Sequence, residues 1–125
     1  MNTIFAKTQL GDFIYKKIYA FNDEPLLFSC DSEIGNIYLL LRQKGEETKW
    51  LALKVTKERL KKLENNEMDT YTAFTKPEYG CLYLLIGDPK SIEMKLILPE
   101  QLTKEMLPYP GEYLDYQFES VSSSC

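Results

Sequence analysis

NIYLLLRQKGEETKWLALKV, residues Asn36–Val55, holds two apolar runs on either side of a polar loop. Successive side chains of a strand point to opposite faces. Ile37, Leu39 and Leu41 therefore share one face, and Tyr38, Leu40 and Arg42 the other. On the return run Leu51, Leu53 and Val55 form one stripe, and Trp50 and Ala52 the other. Gly45, in the loop between them, is free to take positive φ. The stretch predicts a β-hairpin. Both of its faces are apolar, which places it inside a sheet and covered on both sides.

Working outward, DFIYKKIYAF (12–21) alternates with a period of two and is rich in β-branched and aromatic residues. It predicts a strand with Phe13, Tyr15, Lys17, Tyr19 and Phe21 on one face. Asn22 to Pro25 is turn chemistry. LLFSC (26–30) predicts a short buried strand, and DSEIG (31–35) the next turn. After the hairpin the period changes. Thr56 is the predicted N-cap of a helix over 57–64, with Leu60 and Leu63 on its buried face. Asp69 is placed to cap a second short helix over 70–74.

CLYLLI (81–86) and IEMKLIL (92–98) predict another hairpin, with Ile92, Met94, Leu96 and Leu98 inward. Pro99 suits the first position of a C-terminal helix over 100–106. Residues 109–118 predict an edge strand or an extended wrap, and 120–125 a frayed tail. There is no βαβ alternation and no glycine-rich phosphate loop. The fold class expected is α+β: a single domain over 1–119, with a curved, mainly antiparallel sheet of six to seven strands, a helical insert and a C-terminal helix.

Composition narrows function chiefly by exclusion. With 125 residues and 44% hydrophobic content the chain is long enough to bury a core of its own. A net charge of −4 repels phosphate backbones and argues against nucleic-acid binding. No apolar run reaches the length of a membrane span, so no membrane partner is expected. The opening MNTIFAKTQLGDF lacks the basic-then-apolar pattern of a secretion signal, and the expected location is cytoplasmic. The chain contains no histidine. That removes Ser-His-Asp and Cys-His catalysis and most zinc and haem sites, so neither a cofactor nor a metal is expected. Cys30, Cys81 and Cys125 are an odd count and read as reduced thiols; a Cys30–Cys81 disulfide would need their strands to be neighbours.

The remaining candidates are weighed against ordinary structural roles. Lys57, Arg59, Lys61 and Lys62 form a basic helix face that reads as solvated surface. Asp12, Asp23, Glu24, Asp31 and Glu33 are expected at one set of strand ends, but show no cation-loop spacing. Nine tyrosines are the distinctive inventory, because tyrosine gives large contact area with a polar tip. Tyr109, Tyr113 and Tyr116, with Tyr71 and Phe74 of the insert, are the candidate partner-binding residues. Tyr15, Tyr38 and Trp50 are the alternative: sheet aromatics lining a site for a nucleotide-like small molecule.

NTIFAKTQLGDF (2–13), PLLFSC (25–30), GNIYLLL (35–41), TKERLKKL (56–63) and PYPGEYLD (108–115) together resemble a family of small uncharacterised bacterial proteins. The resemblance implies a bacterial, cytoplasmic, stand-alone domain and carries over no functional residue. The function expected is a non-enzymatic protein-interaction module, an accessory, inhibitor or immunity-type partner of a larger protein. A homodimer is a further expectation if a sheet edge is exposed.

Overall fold

The structure, a computed structural model, describes residues 3–114. The expected 120–125 tail, Tyr116 and Phe118 lie outside the described residues. Seven strands run β1 (Ile4–Thr8), β2 (Gly11–Asn22), β3 (Glu24–Ser32), β4 (Ile37–Arg42), β5 (Lys49–Val55), β6 (Leu82–Ile86) and β7 (Glu93–Ile97). Each pairs antiparallel with the next in sequence, giving one meander sheet in the order β1 to β7. Helices α1 (Lys57–Glu64) and α2 (Thr70–Thr75) are inserted between β5 and β6.

The Asn36–Val55 hairpin lies at the centre. Its register pairs Leu39 with Leu53, Leu40 with Ala52, and Arg42 with Trp50. The two stripes enter two separate cores. Leu39, Leu51 and Leu53 pack under the helices with Leu60, Leu63, Ala73 and Phe74. Tyr38, Leu40, Trp50 and Ala52 pack on the other face with Phe5, Phe13, Phe28 and Leu85. That second core is closed by curl of the sheet upon itself. Phe5 of β1 reaches Trp50 of β5, ring centroids 4.9 Å apart and interplanar angle 83°. The Lys7 N–H donates to the Pro89 carbonyl in the β6–β7 turn at 3.0 Å. Right-handed strand twist accumulated over seven strands is what allows the first strand to meet the last turn.

Both helix caps are as expected. The Thr56 hydroxyl accepts from Arg59 N–H at 3.1 Å, and the Asp69 carboxylate accepts from Thr72 N–H at 3.0 Å. Glu78 binds back onto the first cap, accepting from Thr56 N–H at 3.0 Å.

Several expectations are corrected. The architecture is mostly β, with two short helices, so α+β overstates the helical share. The strand at Ile4–Thr8 is additional. The C-terminal helix is replaced by two 3-10 turns, Pro99–Gln101 and Lys104–Met106. Broken this way, the segment brings Leu102, Met106 and Leu107 to the helix-side core. A helix of under two turns has little stability of its own to oppose that. No strand forms over 107–114.

The face assignment of β2 also changes. Irregular register between Tyr15 and Lys17, and again between Ile18 and Ala20, shifts the alternation. An extra residue in one strand flips every side chain beyond it. Tyr19 therefore lies in the helix-side core, opposite Phe13 and Tyr15. Its hydroxyl donates to the Glu64 carboxylate at 2.6 Å. Leu96 on β7, and Leu98 just beyond it, are exposed while Ile97 is buried. The curl covers the turn end of this last strand and leaves its far end open.

Candidate functional site

The helix-side core is not sealed at the end where β2, β3 and β4 leave the helices. Residues 108–114 cross that opening as an irregular strap. The strap and the turn that leads into it are held by backbone and side-chain hydrogen bonds to three buried or half-buried polar residues. The Gln43 amide donates to the Met106 carbonyl at 3.1 Å. Thr70 donates through both its N–H (2.8 Å) and its hydroxyl (2.9 Å) to the Glu112 carbonyl. The Gly111 N–H donates to the Asp69 carboxylate at 2.7 Å, and Gly111 adopts φ 88°, which favours glycine. Leu114 then enters the core.

Asp69 thus caps α2 with one oxygen and holds the strap with the other. Burial pushes its carboxyl up, but hydrogen bonds from Thr72 and Gly111 outweigh this and hold it below its ordinary 3.8. The ionised form therefore stabilises the fold fully above the ordinary value. That contribution is lost as pH falls through the lower folded value. Asp69→Ala is expected to cost about 1 kcal/mol, the worth of a typical cap. The difference from wild type in urea midpoint should be present at pH 7 and shrink in the acid range.

The strap leaves a hollow on each side. The first, about 340 Å³, is apolar and lined by Tyr19, Ala20, Leu26, Leu27, Tyr113 and Leu114 among others. The second, about 570 Å³, is a more polar groove with Arg42, Lys44, Lys104, Glu105, Tyr109 and Glu112 in its walls. Leu41, Pro108 and Glu112 border both. Two large aromatics stand exposed in their walls, Tyr109 at 71% in the groove and Tyr113 at 39% in the apolar hollow; Phe21 is exposed as well but lines neither. Phe21 follows Ala20 at the tip of the β2–β3 hairpin. Arg42 is engaged, ion-paired with Glu24 at 3.0 Å, bonded to the Gln43 carbonyl and set over the Trp50 ring.

Tyr109 and Tyr113 are thus brought to one site, each at one of the two hollows. Tyr71 is half-buried on α2. Phe74 is corrected: it is fully buried in the helix-side core and has no surface to offer a partner. Tyr15, Tyr38 and Trp50 do share one face, but as packing. Tyr38 is 2% and Trp50 4% exposed; Tyr38 stacks on Phe13 at 4.5 Å, and Tyr15 packs on Phe28 at 5.2 Å. Burial pushes the Tyr15 and Tyr38 hydroxyls up, away from ionisation. A flat ligand would have to displace core aromatics to stack there.

The carboxylates expected together are separated. Asp12, Asp31 and Glu33 lie at one end of the β2–β3 ladder, and Asp23 and Glu24 at the other. Antiparallel pairing of a twelve-residue strand imposes that distance. Among the described residues no cluster of acidic or thiol ligands could hold a metal ion. Part of the basic helix face is structural: Arg59 donates to the Lys76 carbonyl at 2.6 Å and pairs with Glu78 at 3.6 Å. Cys30 and Cys81 are free, on strands separated by β4 and β5 or beside them. Burial raises the Cys30 thiol far above its ordinary range, which keeps it unreactive.

Sequence reasoning missed Ala20, Leu26 and Leu27 as lining residues, and no signal in the sequence marks them.

The molecule is therefore a curled antiparallel meander with a capped helical insert and a strapped apolar hollow. The chain belongs to a family of unknown function, DUF6575, whose model matches residues 1–124. No curated protein and no solved structure matches the chain. Among the described residues no helix is long and apolar enough to cross a membrane.

Proposed function

We propose that this chain is a non-enzymatic protein-interaction module whose docking site is the apolar hollow beside Tyr113. The observation that carries the reading is that hollow of about 340 Å³, open at the surface with exposed Tyr113 in its wall, beside a groove walled by exposed Tyr109. Protein interfaces concentrate their energy in aromatic anchors set around a pocket that a partner side chain fills and desolvates. Tyrosine supplies contact area at small entropic cost. The absence of histidine and the dispersal of the carboxylates support a binding role over catalysis. In this reading the protein is a cytoplasmic accessory, inhibitor or immunity-type partner of a larger bacterial protein.

The test is recovery of tagged protein from the cells that make it. A stoichiometric protein partner is expected, and Tyr113→Ala combined with Tyr109→Ala should reduce its recovery about tenfold or more, the loss of one to two hot-spot residues. Equal recovery by wild type and the double variant would contradict the assignment of the site.

A further inference from the structure

We infer that two copies of this chain associate through the outer edge of β7, strand against antiparallel strand about a two-fold axis at Met94, so that the sheet runs on from one copy into the other. This adds a second surface to the docking hollow proposed above and does not depend on it. No residue of β6 or β7 lines either hollow, so both surfaces can be occupied at once.

A meander of seven strands has two outer edges, and the fold treats them differently. β1 is irregular in register between Ile4 and Ala6, and its Lys7 N–H is bonded to the Pro89 carbonyl. β7 pairs with β6 in unbroken register from Glu93 to Ile97, and among the described residues no backbone bond is made on its other side. The tie from β1 falls at Pro89, ahead of Glu93 where β7 starts, and so leaves this edge open. No proline interrupts β7, and Leu96 stands 53% exposed on it. An unpaired row of N–H and C=O groups beside an exposed apolar side chain is a template for another extended strand.

Charge and register select a second β7 as that strand. Across an antiparallel pair related by a two-fold axis, outward-pointing backbone groups must meet outward-pointing ones, so the axis falls at a residue and not between two. An axis at Glu93 or Lys95 sets like charges face to face, and one at Leu96 sets Lys95 against apolar Ile97. An axis at Met94 sets Glu93 of each copy opposite Lys95 of the other. Both residues are exposed and outside every ion pair among the described residues. A lysine in mid-strand ordinarily guards an edge against pairing; only this register neutralises it. On the opposite face the same register continues one apolar row, with Met94 against Met94 and Leu96 against Ile92. Ile92 and Met94 already belong to the core closed by the curl, so exposed Leu96 gains cover at its margin. The paired stretch, Ile92 to Leu96 in each copy, buries less than a standard stable interface. The dimer is accordingly weak and concentration-dependent.

Sedimentation of the full chain, kept reduced, from about 5 to 500 µM spans the affinity expected of so small a contact. The weight-average mass should rise from 14.6 kDa toward twice that value. Glu93→Lys and Lys95→Glu should each raise the midpoint concentration roughly tenfold or more, because each turns two cross-strand attractions into two repulsions. The two changes move the net charge of −4 in opposite directions, so general repulsion cannot weaken association in both. The double variant, Glu93→Lys with Lys95→Glu, restores opposite charges and should associate like wild type. Its recovery also excludes misfolding as the cause of the single losses. Tyr109→Ala with Tyr113→Ala should leave the midpoint unchanged. A single 14.6 kDa species at every concentration would overturn the inference. Association that ignores the single reversals, that the double variant fails to recover, or that is lost with the two tyrosines would overturn it equally.

Discussion

Trp50→Ala should lower the free energy of unfolding by about 3–5 kcal/mol, the range for emptying a buried aromatic site. The side chain is 4% exposed and sits where the sheet closes on itself. It packs edge-on to Phe5 of β1 at 4.9 Å, carries the Arg42 guanidinium over its ring at 5.6 Å, and pairs across the ladder with Leu85. Of these, the Phe5 contact decides the consequence. β1 is five residues long and its outer edge has one backbone bond to the β6–β7 turn, from Lys7 to Pro89. Removing the indole leaves Phe5 without its T-shaped partner and opens a void that this short strand cannot collapse to fill. Single domains are stable by roughly 5–15 kcal/mol, so the variant should be marginal. Denaturant unfolding followed by far-ultraviolet circular dichroism measures the loss. Amide exchange should rise first in β1, before the hairpin itself opens. Trp50→Phe keeps most of the apolar volume and should cost distinctly less.

Phe74→Ala should cost a similar amount, about 3–5 kcal/mol. Phe74 is fully buried between α2 and the sheet, in the cluster that contains Leu53, Leu63 and Leu82. α2 is only six residues, too short to hold its shape without tertiary packing. Its seat is Phe74 and Ala73 beneath, and the Asp69 cap at its start. The same helix start anchors the strap through Asp69 and Thr70. Loss of the ring should therefore loosen the strap as well, and a dye that binds exposed apolar surface should report it under native conditions. A partner-facing Phe74 would instead leave stability within about 0.5 kcal/mol of wild type, as surface substitutions do.

These two positions also show how far the sequence could be read. The Asn36–Val55 hairpin was legible because both of its faces are apolar, and the structure covers both. The caps at Thr56 and Asp69 were legible because one side-chain oxygen before an apolar period has a local cause. The bulges of β2 were not. An inserted residue carries no composition of its own, yet it moved Tyr19 to the opposite core and turned five expected face-mates into two groups. The exposure of Leu96 and Leu98 was hidden for a different reason: alternation reports a face, and only the curl decides where that face is covered. Tyr109 and Tyr113 could be picked out as exposed-type aromatics in a proline-broken segment. The hollow between Tyr113 and the β2–β3 hairpin could not, since its walls come from five separate stretches of chain. Phe74 misled because a six-residue helix has too few turns to show which side is buried.

The claim that the mouth of the hollow is a docking surface is tested most directly by site-specific photo-crosslinking in the cells that make the protein. A benzophenone side chain is placed at Tyr113, 39% exposed at the rim, and separately at Ile34, 74% exposed in the β3–β4 turn. A discrete protein adduct of one mass is expected from position 113 and none from position 34. No adduct at 113, or the same adducts from both positions, would contradict the docking surface.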